Sequence, residues 1–279
     1  MDLRSLEIKI SRSENLPVLP EHVSQILKLV DKPHIPSSVM ESIVQRDAAV
    51  TAKVLRVANS PFYGLTPSTS ISRAIHSLGP NQVRSLVIGV AYQQAIGSRS
   101  GSRLLDRHAL WQHSMATAVA ARIIAKLRLP ARVEEMYDAG MLHDLGILVL
   151  DKYCPDELDQ CILYAKDQKV PLVQAELVLL GCDHYDIAAL LADKWAISET
   201  MQGAIFHHAL DKPIDHFDEA CIIAAADAIA RQCGYDFLME DEDPTIPKIA
   251  ATFIDLGDDQ VKAIRDLVTS EVELAIEAA

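Results

Sequence analysis

The segment AGMLHDLGILVLDKY, from Ala139 to Tyr153, decides how this sequence is interpreted. From Ala139 to Leu150 the segment is apolar on nearly every side, apart from the adjacent pair His143 and Asp144. A helix that is apolar all round is usually buried inside a protein. The segment therefore predicts a central helix that carries an imidazole and a carboxylate into the core.

The composition of the 279-residue chain favours helices over sheets. Hydrophobic residues make up 49% and charged residues 23%, as in an ordinary globular protein, while aromatic residues reach only 5%. Apolar residues recur at helical spacing along most of the chain, and convincing two-residue alternation is absent. The sequence therefore predicts an all-α protein, in which residues 131–150 form one of the central helices.

Small and polar residues divide the chain into three predicted parts. The stretch GSRSGSR, at residues 97–103, separates short helices interrupted by Pro and Gly from a region of longer helices. We predict an N-terminal helical lobe over residues 1–101, packed on a helical bundle over residues 102–235. A C-terminal helical extension over residues 236–279 is expected to follow.

The net charge and the cysteines indicate which binding partners and which cellular compartment to expect. The formal net charge is −13, whereas a general nucleic-acid binder is usually basic, so we expect no nucleic-acid partner. None of the five cysteines forms a CxxC pair, which is typical of reduced, buried thiols in a cytosolic protein. The N-terminus lacks the apolar run of a signal peptide, and no stretch approaches 18 uninterrupted apolar residues. We therefore expect a cytoplasmic protein without a membrane span.

Seven side chains of the metal-ligand type fall on the apolar faces or beside them. They are His113, His143, Asp144, His184, His207, His208 and Asp227. Each of them alone is more often an ordinary hydrogen-bonded core residue than a ligand. A buried carboxylate without a partner costs several kcal/mol, however, so Asp144 and Asp227 need positive charge nearby. Because Lys and Arg are sparse on these faces, protonated histidines or a bound cation would have to supply that charge.

The chemistry of this set favours a divalent metal. Nitrogen and oxygen ligands without sulfur suit Fe, Mn, Co, Zn, Ni or Mg. Seven ligands are enough for two ions, with Asp144 able to bridge them. A metal-free helical scaffold with buried His–Asp hydrogen bonds stays open as an alternative.

The order of these residues resembles the HD superfamily of metal-dependent phosphohydrolases. Its H…HD…D core matches His113, His143, Asp144 and Asp227. The remaining histidines resemble the second-metal ligands of binuclear members such as HD-GYP proteins; they are His184, His207 and His208. Blocks such as NLPVLPEHVSQILKLV, IVQRDAAVTAKVLRVANSPFYG and ISRAIHSLGPNQVRSLVIG are similar to those of an HDOD domain. The resemblance covers about residues 15–232.

The resemblance implies a bacterial, all-helical regulatory module of signal transduction. Its partner would be a signalling protein or a small phosphorylated ligand, and a homodimer stays open. HD-GYP enzymes carry a lysine three residues after the Asp of the HD pair, where this chain has Ile147, and no GYP segment follows His208. Cyclic di-GMP hydrolysis is therefore not expected.

A metal-dependent phosphohydrolase is the alternative function that the resemblance implies. The substrate would be a nucleotide or another phosphoester, and Asp144 would be the catalytic candidate. The positive charge of the lysine that Ile147 replaces would then come from one of three basic residues: Lys152, Lys194 or Arg231. A di-iron oxygenase is a more distant third alternative, because some HD relatives carry out oxygen chemistry.

Overall fold

The structure, a computed structural model, describes residues 8, 25–26, 36–59, 69–96, 101–190, 197–206, 216–238 and 244–277. Within these ranges the chain forms helices and no strand, which confirms the predicted all-α class. The α-helices are α1 (Ser37–Val44), α2 (Ala48–Ala58), α3 (Ile71–Leu78), α4 (Pro80–Ile96), α5 (Arg107–Arg128), α6 (Val133–Leu142), α7 (Leu145–Tyr153), α8 (Pro155–Gln168), α9 (Leu172–Leu180), α10 (His184–Ala189), α11 (Glu199–Phe206), α12 (Phe217–Gln232), α13 (Lys248–Ile254) and α14 (Asp258–Glu277).

The helices α1 to α4 form an N-terminal lobe around shared apolar side chains. Asp47 begins α2 by accepting hydrogen bonds from the backbone N–H groups of Ala49 and Val50, as an N-cap carboxylate does. Ser70 begins α3 with the same kind of bond. One buried residue from each helix illustrates the core of the lobe: Met40, Val54, Ile75 and Val87. The helix α4 also contacts α5 and α6, and so joins the lobe to the bundle.

The centre of the bundle is built from α5, α6 and α12, which pack against one another. Their contact faces are rich in alanine and glycine. At Gly140 on α6, an added Cβ would come within 2.8 Å of the Cα atom of Ala118 on α5. The distance between packed helices depends on the side chains at the contact. Small residues therefore bring these three helices close enough for short polar side chains to meet.

The predicted helix over residues 131–150 is wrong in one respect, because it is interrupted at the His143–Asp144 pair. The helix α6 ends at Leu142 and α7 begins at Leu145. Adjacent residues of a continuous helix point about 100° apart. The interruption lets both side chains turn to one point, where His143 Nε2 and Asp144 Oδ2 lie 3.3 Å apart.

Two buried carboxylates anchor the beginning of the bundle. Asp159 on α8 accepts a hydrogen bond from the Ser102 hydroxyl at 2.5 Å. Asp151 on α7 accepts hydrogen bonds from the Ser102 backbone N–H and from the Arg107 guanidinium. The predicted boundary at residues 97–103, of which the structure describes only the last three, thus ends in a segment bonded to the bundle. The division of the chain into three parts stays a prediction.

The C-terminal helices α13 and α14 extend the bundle, as predicted. Arg122 on α5 forms an ion pair with Glu271 on α14. Arg128, at the end of α5, donates a hydrogen bond to the carbonyl of Ile254 on α13 at 2.5 Å. The longest described helices are α5 and α14, with 22 and 20 residues. Neither they nor any other described helix is long and apolar enough to cross a lipid bilayer.

Candidate metal centre

Two buried histidines face each other at the centre of the bundle. His113, on α5, donates a hydrogen bond from Nδ1–H to the carbonyl of Tyr235 at 2.8 Å. His143, directly after α6, donates from Nδ1–H to the carbonyl of Gly140 at 2.8 Å. A carbonyl oxygen only accepts hydrogen bonds, so both neutral rings carry their proton on Nδ1. The two Nε2 lone pairs then face each other across 3.2 Å, which requires a proton or another cation between them.

Two carboxylates complete this His/Asp cluster, which consists of His113, His143, Asp144 and Asp227. Asp227, on α12, places Oδ1 3.1 Å from His113 Nε2. Asp144 places Oδ2 3.5 Å from His113 Nε2 and 3.3 Å from His143 Nε2. Asp144 is buried, and its Oδ2 has no hydrogen-bond partner among the described residues. A buried oxygen of this kind is costly unless a cation or a water molecule satisfies it.

The electrostatics of the cluster differ between its two histidines. Burial opposes protonation of His113, but the hydrogen bond to Asp227 and the charges of Asp227 and Asp144 outweigh it and raise the pKa. For His143, burial lowers the pKa, and the nearby carboxylates only partly offset that effect. Burial would raise the pKa of both carboxyl groups, but the histidines around Asp144, and Arg231 with His113 around Asp227, lower it instead. Both carboxylates of the cluster are therefore ionised at neutral pH.

The spacing of the donor atoms fits one divalent metal ion. Metal–ligand bonds of about 2.0–2.2 Å place neighbouring ligand atoms about 2.8–3.1 Å apart in octahedral coordination and about 3.3–3.6 Å apart in tetrahedral coordination. The separations in the cluster are 3.1, 3.2, 3.3 and 3.5 Å. His113, His143 and Asp227 offer donor atoms that all lie within 4.8 Å of one another. The residues present thus fit the kind of ion that the sequence predicts.

His184 lies against the other oxygen of Asp144. It is the first residue of α10, which begins with a reciprocal capping box between Asp183 and Asp186. His184 Nε2 lies 3.6 Å from Asp144 Oδ1 and has no hydrogen-bond partner among the described residues. The helices α7 and α10 are in direct contact here, because a Cβ at Gly146 would overlap the carbonyl group of His184. The two oxygens of Asp144 therefore face different histidines.

The structure locates two of the three basic residues considered as substitutes for the missing lysine. Arg231 donates a hydrogen bond from Nε to Asp227 Oδ1 at 3.1 Å, and so lies beside the cluster. Lys152 lies over the ring of the tyrosine that follows it. Lys194 lies outside the described residues, and Ile147 is buried in the core.

The structure brings five of the seven predicted ligands together. These are His113, His143, Asp144, His184 and Asp227. The other two, His207 and His208, lie outside the described residues. The role of each residue as a metal ligand stays a prediction.

One known protein family matches most of the chain. The profile of the HDOD domain matches residues 16–210. This chain belongs to the HDOD family. The predicted resemblance, which extends over about residues 15–232, is thereby confirmed for the matched range.

Several proteins are similar to this HDOD chain. An uncharacterized protein from Treponema pallidum is 25% identical over 202 residues, which are 71% of this chain but only 39% of that protein. A candidate signal transduction protein from Marinobacter aquaeolei is 22% identical with a TM-score of 0.75, over 99% of this chain and 64% of that one. A candidate phosphohydrolase from Shewanella amazonensis is 23% identical with a TM-score of 0.64, over 95% of this chain and 98% of that one. The two structural likenesses show a shared fold.

One residue of this HDOD site, Glu176 on α9, was not predicted from the sequence. Glu176 is fully buried, and its Oε2 accepts hydrogen bonds from the backbone N–H and the Nδ1–H of His184, at 2.9 and 2.7 Å. Burial opposes protonation of His184, but Glu176 and Asp144 outweigh it and raise its pKa to about 10. A signal was present, because Glu176 shares a helical stripe with the buried Leu172 and Leu180, where an acidic side chain is unexpected.

Proposed function

We propose that this HDOD chain is a regulatory module of bacterial signal transduction that holds one or two divalent metal ions. The observation that carries the proposal is the pair of Nε2 atoms of His113 and His143, which face each other at 3.2 Å. Two carboxylates, Asp144 and Asp227, adjoin the same point. A shared proton can join only one pair of these atoms by a hydrogen bond. A divalent cation can bind both imidazoles and both carboxylates at once.

The proposed metal ligands divide into two groups around Asp144. The first ion would be held by His113, His143, Asp144 and Asp227. The second position would take Asp144 Oδ1 and, following the HD-GYP resemblance, His184, His207 and His208. A bound divalent ion would polarise a phosphoryl oxygen and lower the pKa of a bound water. The protein's own contribution is orientation, because backbone carbonyls fix both facing rings and the apolar bundle excludes bulk water.

A regulatory role is favoured by the missing phosphate-binding lysine. Ile147 stands at that position, and its apolar side chain, which is buried in the core, offers no cation to a phosphate. The structural neighbour from Marinobacter is named for signal transduction. We propose a signalling protein or a small phosphorylated ligand as the partner, and the cytoplasm as the compartment. A homodimer is compatible with this function, while the net charge of −13 argues against nucleic acid.

A metal-dependent phosphohydrolase is the second candidate, and the position of Arg231 favours it. The side chain of Arg231 is partly exposed beside Asp227, where a guanidinium could contact a phosphoryl oxygen. In this function Asp144 would help to hold the metal ion that activates the attacking water. The structural neighbour from Shewanella is named for phosphohydrolase activity.

Elemental analysis of the purified full chain tests the metal site. After loading with Mn²⁺, Fe²⁺ or Zn²⁺, we expect one or two ions per wild-type chain and fewer in His143→Ala. The matched control is His76→Ala, which removes an exposed histidine and should retain every ion. A wild-type chain that binds none of these metals would overturn the proposal.

Turnover separates the two candidate functions. The metal-loaded chain is incubated with bis-p-nitrophenyl phosphate and a panel of nucleotides. A regulatory module should hydrolyse them no faster than Asp144→Ala does. Robust hydrolysis that disappears in Asp144→Ala and weakens in Arg231→Met would instead establish the phosphohydrolase.

A further inference from the structure

Glu176 makes an unusual pair of contacts with one residue. A single oxygen, Oε2, accepts both the backbone N–H and the ring Nδ1–H of His184. These two bonds fix the backbone at the start of α10 and the rotation of the imidazole ring. The position of His184 is therefore determined by a side chain from another helix, α9.

The orientation imposed by Glu176 has a chemical consequence. With Nδ1–H donated to Glu176, the neutral imidazole of His184 carries its lone pair on Nε2. That atom lies 3.6 Å from Asp144 Oδ1 and has no hydrogen-bond partner in the part of the chain that the structure describes. A ring rotated by 180° would present the same position with a carbon atom instead. Glu176 thus decides that a nitrogen faces Asp144.

The burial of the Glu176 carboxylate destabilises the fold unless another interaction offsets it. Its exposed fraction is 0%, and its second oxygen, Oε1, has no hydrogen-bond partner among the described residues. Every ion pair of Glu176 within the described ranges is made with His184. A neutral acceptor would satisfy the two N–H groups without burying a charge. The charge itself therefore calls for a functional explanation.

We propose that Glu176 is a positioning residue, which holds His184 as a ligand of a second divalent cation and strengthens its binding. The inference rests on the metal site of the proposed function. A carboxylate that accepts the far N–H of a ligand histidine fixes its tautomer and raises the basicity of the ligand nitrogen. The pair Glu176–His184 reproduces this arrangement on the side of Asp144 that faces away from His113 and His143.

A purely structural role for Glu176 makes a different prediction from a positioning role. Glu176→Gln retains an oxygen that can accept both N–H groups, and removes only the negative charge. If Glu176 served the α9–α10 connection alone, this variant would leave metal affinity unchanged. If Glu176 positions a ligand, affinity at the second position should fall by about 10- to 100-fold.

The experiment measures Mn²⁺ binding to the full chain after chelator treatment, by equilibrium dialysis with elemental analysis and by electron paramagnetic resonance. Wild type is expected to bind two ions and to show the spectrum of a coupled Mn²⁺ pair. Glu176→Gln should lose the coupled spectrum at Mn²⁺ concentrations that saturate wild type, while the first ion stays bound. His184→Ala should behave in the same way, and the exposed-site control Glu273→Gln should match wild type.

The outcomes separate this inference from the proposed function. A wild-type chain that binds no ion overturns both. Ions that bind equally well to wild type and Glu176→Gln overturn the role of Glu176 and leave the metal site intact. If Glu176→Gln does not fold, ¹⁵N NMR spectra of Zn²⁺-loaded wild type test the role of Glu176 instead, because they report the tautomer of His184. A proton on Nδ1 with a metal-shifted Nε2 is expected, and a proton on Nε2 would refute the role.

Discussion

Protonated histidines balance the charge of the metal-free cluster. Nearby carboxylates raise the pKa values of His113 and His184 in spite of burial, whereas burial lowers the pKa of His143. A histidine binds a metal through a deprotonated nitrogen, so an ion that enters this site displaces protons. At the scale of single residues, metal affinity and pH are therefore linked.

Metal binding is expected to release protons and to become tighter as the pH rises towards about 10, the pKa of His184. Isothermal titration calorimetry with Mn²⁺, in two buffers of different ionisation enthalpy, counts the protons released. Wild type should release more protons per chain at pH 7 than His184→Gln, since this variant lacks one titrating ligand. Equal proton release from both proteins would contradict the assignment.

The metal-free protein is expected to lose stability as the pH rises from about 6.5, the unfolded value for histidine, to about 10. A group whose folded pKa exceeds its unfolded pKa contributes its full stability below the unfolded value, and loses it as the pH rises through the folded value. Urea unfolding of chelator-treated wild type and His184→Gln measures this contribution. The difference between the two free energies of unfolding should decrease over this pH range, and a constant difference would refute the linkage.

The segment before α5 depends on helices that follow it in the sequence. Asp159 on α8 accepts hydrogen bonds from the Ser102 hydroxyl and from the backbone N–H groups of Arg103 and Leu104. The conformation of the segment therefore depends on carboxylates of the bundle, above all on Asp159. At the scale of elements, this is where a single substitution should loosen the connection between the lobe and the bundle.

Asp159→Asn is expected to destabilise the protein by about 1–3 kcal/mol, because the amide cannot accept all of these bonds. Burial opposes ionisation, but the bonds from Ser102, Leu104 and Arg103 lower the pKa of Asp159. A carboxylate with a lowered pKa contributes stability above the unfolded value of about 3.9 and loses it below. Chemical unfolding should therefore show a full difference from wild type at pH 7 that shrinks as the pH falls below about 4. A difference independent of pH would contradict this explanation.

The elements were predictable where one apolar face repeats at helical spacing, as on α5, where His113 was correctly expected to face the core. The interruption at His143 and Asp144 was not, because the apolar pattern continues through it to Leu150. At the interruption these side chains meet residues from α5, α10 and α12, and no local sequence pattern contains such contacts. Glu176 was missed for the same reason, since its partner comes from another helix.

Two buried polar contacts connect the N-terminal lobe to the helices of the metal centre. Arg84 on α4 pairs with Asp138 on α6 at 2.6 Å, one turn before the interruption of that helix. The hydroxyl of Ser114, the residue after His113, donates a hydrogen bond to Tyr92 on α4 at 2.9 Å. At the scale of the whole molecule, α4 therefore contacts α5, which carries His113, and α6, which ends directly before His143. The lobe and the cluster should respond to each other.

Arg84→Met is expected to destabilise the protein by about 3–5 kcal/mol, because it leaves a buried carboxylate without its cation. Burial already raises the pKa of Asp138 to about 6 in the presence of Arg84, so the loss should be smaller at pH 5, where Asp138 is protonated. Thermal or urea unfolding at pH 5 and pH 8 measures both effects. The control Arg73→Met, which removes an exposed arginine of the same lobe, should change little at either pH.

Metal loading should slow the amide hydrogen exchange of α4, if the lobe and the cluster are coupled in both directions. Tyr92→Phe, which removes only the hydroxyl that contacts Ser114, should reduce this effect while the protein stays folded. Mass spectrometry of exchanging peptides from wild type and variant provides the measurement. Protection confined to α5, α6 and α12 would show that the lobe does not sense the ion.

The contact between Gly146 and the carbonyl of His184 has a consequence for the choice of metal. Since the backbones of α7 and α10 touch at this point, the gap between Asp144 and His184 is set by main-chain atoms, which adjust less than long side chains do. A pair of ligands with a fixed separation discriminates between ions by their radius. The gap of 3.6 Å between Asp144 Oδ1 and His184 Nε2 is wider than the separation of about 2.9 Å that octahedral Mg²⁺, with bonds of about 2.0–2.1 Å, gives to neighbouring ligands. We therefore expect the second position to disfavour Mg²⁺ relative to ions with longer bonds or with tetrahedral coordination.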